Sequence, residues 1–389
     1  MTKVLIALVV VGLGATAAVS PASAPAGATS AALPDATSAA TSALSAEQRA
    51  AQVYAAMNGV QRVGQLFMAG IPSSGSTYAQ RSSLRRWAIG NVYLSGPTRI
   101  GVAGVRGVTS TARPYATVRG VRPFVSVNQE GGQIQRLEGR GFSTVPSALV
   151  QGGRTPSALQ TSATAWGRQL ASAGVNMNLA PVADVVPARQ ARTNQPIGRY
   201  DREYGYTPPP VSSHVAAFVR GMSAGGVTSA LKHFPGIGRA SANTDLDPNT
   251  TDPTRRHDAY LAPFAAGITA GADAVMVSSA RYPHIDGKHL ACFSRSVITT
   301  VLRGDLAFRG VVVSDALNAE AMARYPVASR ALVFLNAGGT MILLTEASEV
   351  PVMSRAVIAR THSDAAFAAK VKAAVMTVLV AKARAGLLT

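Results

Sequence analysis

Gly310-Val311-Val312-Val313-Ser314-Asp315-Ala316-Leu317 is a short β-branched run that stops at a hydroxyl and a carboxylate. Apolar on both faces, it reads as a strand buried within a parallel sheet, with Asp315 at its exit. Outward from it, similar runs occur at 272–278, 229–233, 176–182, 123–127, 89–94 and 64–71 on one side and at 339–344 on the other. Longer helical patterns fit between most of them, such as 211–224, 260–270, 295–306 and 328–337, each followed by a glycine-containing turn. Eight strands alternating with helices predict an α/β chain closed into a single-domain (β/α)8 barrel. An open doubly wound sheet is the competing architecture, but no Gly-x-Gly-x-x-Gly turn follows the first run.

The flanks complete the domain plan. Ser45 and Gln48 form a capping-box pair that predicts a helix carrying Val53, Met57 and Val60, and the Ala-, Val- and Lys-rich stretch 350–388 predicts closing helices on the barrel wall. Residues 45–389 are therefore expected to be the barrel. Residues 25–44 are almost wholly Ala, Ser, Thr, Pro and Gly, too poor in apolar surface to offset the entropy of ordering, and predict a flexible tether. Lys3, the apolar run 4–19 and Ala22-Ser23-Ala24 have the layout of a signal peptide over 1–24. That run falls short of the roughly 20 apolar residues of a spanning helix, so no stable membrane insertion is expected after cleavage. A secreted or cell-envelope location follows, with no cysteine near Ala24 for lipid attachment.

Composition narrows the partners. The 389 residues are 47% hydrophobic and 14% charged, which excludes a disordered or fibrous chain and demands a large core. The one cysteine, Cys292, cannot form an internal disulfide, so the core alone must stabilise an exported fold. A formal charge of +18, spread from Arg49 to Arg384, predicts a cationic surface drawn to anionic envelope polymers or acidic lipid headgroups. Nucleic acid is not the expected partner, because helix-turn-helix and zinc-finger spacings are missing from the sequence.

In such a barrel the chemistry gathers where strands end at their C-termini. The third run leads into Asn128-Gln129-Glu130-Gly131-Gly132, the fifth into Lys232-His233-Phe234-Pro235-Gly236, the sixth into Ser278-Ser279 and the seventh into Ser314-Asp315. On residue type alone, Asp315 fits a carboxylate nucleophile or the cap of a following helix. Lys232 and His233 would face opposite ways on a regular strand, and His233 alone fits a hydrogen-bonded core residue. Glu130, beside two glycines, fits a buried structural role better than a catalytic one.

Together these segments resemble family 3 glycoside hydrolases, particularly the single-domain β-N-acetylglucosaminidases of bacteria. The resemblance runs from Val63 to about Leu344. Residues 64–68, Gly-Gln-Leu-Phe-Met, look like the family's opening strand, and 128–136 like its Asp-Gln-Glu-Gly-Gly-Arg-Val-Gln-Arg segment. Ala180-Pro181-Val182-Ala183-Asp184 resembles its strand-four motif, and 232–236 match Lys-His-Phe-Pro-Gly.

The resemblance implies a retaining mechanism with Asp315 as nucleophile. Asn128, Arg136, Lys232 and His233 fall on substrate-binding positions, and Arg202 on another after a two-residue insertion. Retention implies nucleophile and acid/base about 5–5.5 Å apart. Relatives carry Asp-Ser-His on the loop after Lys-His-Phe-Pro-Gly, whereas Asn243, Thr244 and Asp245 stand here, which leaves Asp245 as the acid/base and Asp247 as a weaker alternative. Asn128 replaces an aspartate and Ser279 a histidine. The reading is an exported retaining β-glycosidase, needing no metal or organic cofactor, for β-linked cell-wall sugars such as N-acetylglucosaminides. A glycan-binding protein with impaired proton donation is the alternative, and a cationic structural coat a third.

Overall fold

The computed structural model describes residues 44–388, so the predicted leader at 1–24 and all but the last residue of the tether predicted at 25–44 lie outside the described residues. Eight parallel strands form the sheet: β1 (Phe67–Pro72), β2 (Asn91–Ser95), β3 (Phe124–Val127), β4 (Met177–Asn178), β5 (Thr228–Phe234), β6 (Ala274–Val277), β7 (Val311–Ser314) and β8 (Ile342–Leu344). Their order is β7-β6-β5-β4-β3-β2-β1-β8, every ladder parallel. A parallel bridge between Val313 and Met341 joins β7 to β8 and closes the barrel. All eight expected strands are present.

Hydroxyls reinforce the backbone bonds of the β7–β8 seam. Thr340 Oγ1 accepts from the Val312 amide at 2.7 Å and donates to the Val312 carbonyl at 3.0 Å. Ser314 Oγ accepts from the Leu343 amide at 3.0 Å, while the Ser314 amide donates to Met341 O at 2.9 Å. Val311, Val312 and Val313 are fully buried, as their β-branched, two-faced apolarity requires. Behind β5, Phe234 meets Phe264 edge to face at 5.2 Å, and truncating either ring costs about 3–5 kcal/mol.

Two boundaries differ from expectation. The first helix is two: Ala46–Ala56 ends at Met57, and Asn58 starts Gly59–Gly64 with a second capping box, its Oδ1 accepting from Gln61 N at 2.9 Å. Gly64 belongs to that helix rather than to β1, because it packs against the chain at Ala88, where a Cβ would stand 2.1 Å from the carbonyl oxygen. The stretch expected at 295–306 winds as a π-helix, Ser296–Asp305. Helices Pro208–Ala224 and Val327–Ala337 lie where expected, and Val350–Ser363 with Ala365–Arg384 finish the wall.

Ala365–Arg384 also closes the end of the barrel opposite the strands' C-termini. Its Lys382 is fully buried, donating to Gln65 Oε1 at 2.7 Å and to the Gly90 carbonyl at 2.8 Å, with the Phe124 ring 5.9 Å from Nζ. Among the described residues no helix is long and apolar enough to cross a membrane.

Candidate active site

At the C-terminal ends of the strands the chain surrounds a cavity of about 520 Å³. Its best-anchored wall begins with Glu130, which lies in the hairpin formed by Gln129–Gly131 and Ile134–Gln135 after β3. The hairpin turns on Gly131, whose φ of +109° suits glycine and whose position leaves no room for a Cβ, 2.1 Å from the Pro146 carbonyl oxygen. Gln129 Oε1 accepts from the amides of Arg136 and Leu137, both at 2.9 Å, which fixes the backbone from which Arg136 enters the cavity.

Glu130 is buried and binds two cations. Arg202 Nε and Nη2 donate to its two oxygens at 2.8 Å each, and Lys232 Nζ lies 2.5 Å from Oε1. Burial alone would raise the Glu130 carboxyl, but Arg202 and Lys232 overcome it and hold the group well below the usual carboxylate range. Burial lowers the Lys232 ammonium, with Glu130 opposing. Lys232 also donates to Asn128 Oδ1 at 2.8 Å, and Asn128 Nδ2 donates to the Tyr93 hydroxyl at 3.0 Å. Glu130 therefore positions the neighbouring side chains, in line with the structural role its sequence context suggested.

His233 follows Lys232 through a cis peptide bond, and both side chains line the cavity. Regular alternation would separate them, but the pairing of β5 with β6 shifts register between Leu231 and Phe234. His233 Nδ1 pairs with Asp184 Oδ2 at 2.8 Å, and Asp184 Oδ1 also accepts from Ile237 N at 2.9 Å. The fully buried Asp184 thus fixes the imidazole and the start of the following loop together.

Asp315 leaves β7 with its amide donating to Val277 O at 3.0 Å. Its Oδ1 accepts from the adjacent Ala316 amide at 2.9 Å. No helix starts there to be capped: the next is the 3-10 turn Glu320–Met322, five residues on, and the next α-helix is Val327–Ala337.

Asp245 stands at the mouth, on a loop whose turn is set by Asn243 Oδ1 accepting the Asp245 amide at 2.9 Å. Arg239 braces that loop, pairing with Asp258 at 2.7 Å and lying 3.8 Å over the Tyr260 ring. Enclosure at the mouth raises the Asp245 carboxyl, the Asp315 charge raises it further, and His233, Arg202 and Lys232 pull it back. Water at its exposed edge moderates all of these effects.

All seven residues singled out from sequence, Asn128, Arg136, Arg202, Lys232, His233, Asp245 and Asp315, line this one cavity. Asp247 does not, and instead accepts the Asn249 amide at 2.8 Å. Sequence reasoning missed the roles of Tyr93 and Asp184. A carboxylate two residues after the fourth run was a usable signal for Asp184, since a buried acid needs a partner. Among the described residues no group of three or more His, Cys, Asp or Glu gathers as a metal-binding set.

Comparison with known proteins agrees with this geometry. A protein named beta-hexosaminidase from Stenotrophomonas maltophilia is 32% identical over 316 residues, spanning 77% of this chain and 89% of its own. The crystal structure of a beta-N-acetylhexosaminidase from Beutenbergia cavernae superposes with a TM-score of 0.81 at 41% identity, covering 84% of this chain and 98% of that one. A family 3 beta-N-acetylglucosaminidase from a Paenibacillus species superposes at 0.78 with 29% identity, over 85% of this chain and 63% of that one. Residues 61–380 match the profile of the glycosyl hydrolase family 3 N-terminal domain, and with the barrel and its polar mouth this establishes that the chain belongs to that family of glycoside hydrolases.

Proposed function

We propose that the protein is an exported, retaining β-glycosidase that removes N-acetylhexosamine residues from β-linked glycans of cell-wall origin. The observation that carries the reading is that Asp315 and Asp245 face one cavity, with burial first and the Asp315 charge second raising the Asp245 carboxyl. In this reading Asp315 attacks the anomeric carbon while Asp245 protonates the departing glycosidic oxygen. Water then attacks the glycosyl-enzyme, its proton going to Asp245, and Asp315 is released. Arg136, Arg202, Lys232, His233 and Asn128 hold the sugar, with Glu130 and Asp184 fixing three of them in place. The substrate follows the names of the relatives, and export follows the sequence over 1–24.

The test is release of 4-nitrophenol from its N-acetyl-β-glucosaminide, beside a panel of other aryl β-glycosides. Asp315→Ala should lose about 10³-fold or more in kcat. Asp245→Ala should lose about 10²–10⁴-fold on poor leaving groups and far less on a dinitrophenyl glycoside, which needs little protonation. Negligible release by wild type and Asp315→Ala alike, where a reference glycosidase works, would sink the proposal. Saturable sugar binding without release would leave a glycan-binding protein. N-terminal sequencing of the exported protein checks cleavage after Ala24.

A further inference from the structure

A second cavity, of about 380 Å³, opens on the wall at the opposite end of the barrel. It lies between the π-helix Ser296–Asp305, the turn before β8 and the last helix. Its charged lining residues are Arg295, Arg303, Arg309 and Lys370, and no carboxylate lines it. Arg303 Nη1 donates to the carbonyls of Phe308 and Gly310 at 3.1 and 2.7 Å, and Arg309 Nη1 donates to Arg303 O at 2.6 Å. These bonds hold two guanidinium groups beside one another. Burial, and then the Arg309 charge, lower the Arg303 guanidinium to about 10, as expected of like charges without a counter-ion.

Two acids beside the cleft are otherwise engaged, and Asp273 lines a different cavity on the other side of Arg309. Asp305, on the same helix, pairs with Arg256 at 2.7 Å. An adjoining cavity shares Arg295, Asn336 and Lys370, and its Asp286 is bound by His289 at 3.0 Å and by Ser294 at 2.7 Å. Lys370 Nζ donates to Asn336 Oδ1 and so stays at the rim.

We propose that this cleft is a binding site for a phosphate ester. Four cations without an acid call for a compact anion with several oxygens, and a single carboxylate would leave most of that charge uncompensated. Leu335, Ala373 and Ala374 give the cleft an apolar side for the carbon atoms next to the phosphate. The site lies before β7 and β8 and shares no lining residue with the proposed sugar cavity, so the two can be assayed separately.

The test uses the full chain with two probes, glycerol phosphate in solution and phosphatidylglycerol vesicles with phosphatidylcholine vesicles as reference. Saturable one-to-one binding to glycerol phosphate is expected, weakening as salt rises. Arg295→Gln/Lys370→Gln should weaken it about tenfold or more. Arg85→Gln/Arg355→Gln, equal in charge and placed on another wall, should leave it unchanged. Arg309→Gln is a second reporter, read beside its melting curve. Capture by phosphatidylglycerol vesicles as well identifies a lipid headgroup as the source, and binding to the soluble probe alone identifies a free or polymeric phosphate. No saturable binding to either probe, or equal losses in both double variants, overturns the proposal whatever the glycosidase assay gives.

Discussion

Two lysines are buried at opposite ends of the barrel, and they are buried on different terms. Lys232 sits at the open end against the Glu130 carboxylate at 2.5 Å, so its charge is compensated and held for use in the cavity. Lys382 sits at the closed end against an amide oxygen, a peptide carbonyl and the Phe124 ring, with no carboxylate. Burial, with no ionic partner to oppose it, lowers the Lys382 ammonium well below its ordinary value. An ion pair marks the open end, and a buried amine with no ionic partner plugs the other.

Four measurements would break or sharpen that contrast. Lys232→Met should have the largest effect, lowering kcat/KM for an aryl glycoside about 10²-fold or more, whereas Lys382→Met should leave it within about twofold. Similar losses in both would erase the distinction. Next, Glu130→Gln strands two buried cations and should cost about 3–5 kcal/mol in denaturant unfolding. Lys382→Met strands only neutral acceptors and should cost about 1–2 kcal/mol.

The third measurement is of pH dependence. With the Lys382 value lowered in the folded state, the unfolded chain binds more protons between that value and 10.5, so this residue makes stability rise with pH across the window. The stability of wild type relative to Lys382→Met should therefore climb towards pH 10.5, and a flat difference would show that the amine stays charged when folded.

The smallest effect belongs to Glu203, fully buried with neither carboxylate oxygen hydrogen-bonded. Burial raises it to about 7, so its contribution falls as pH rises from 4.5 to about 7. Glu203→Gln should raise Tm by about 2–4 °C at pH 8 and by less at pH 5.

The barrel was legible because its strands are apolar on both faces, a signal that survives without any knowledge of partners. Asp315 and Lys232-His233 were legible because strand ends are placed by the strands themselves. Arg202 was harder, since it reaches the cavity on a long loop and is fixed by Glu130, 72 residues away. Asp184 and Tyr93 were passed over because their roles depend on cross-barrel neighbours that spacing along one segment does not reveal. The break at Met57 was readable: Asn58 and Gln61 repeat the signal recognised in Ser45 and Gln48. Lys382 gave no signal, because a lysine in an alanine-rich helix looks solvated until the helix is docked.

The hydroxyl-stitched seam bears on the order of events at the ribosome. β7 can pair with β6 as soon as it emerges, but its other edge stays bare until Thr340 and the strand after it have been synthesised. The lip carrying Asp315 is thus completed among the last parts of the barrel, and a nascent chain stalled before residue 340 would expose a long apolar edge without working chemistry. Thr340→Val keeps the shape and removes the stitch, so amide exchange at Val312 should quicken while that at Val275, its partner in β6, holds its rate.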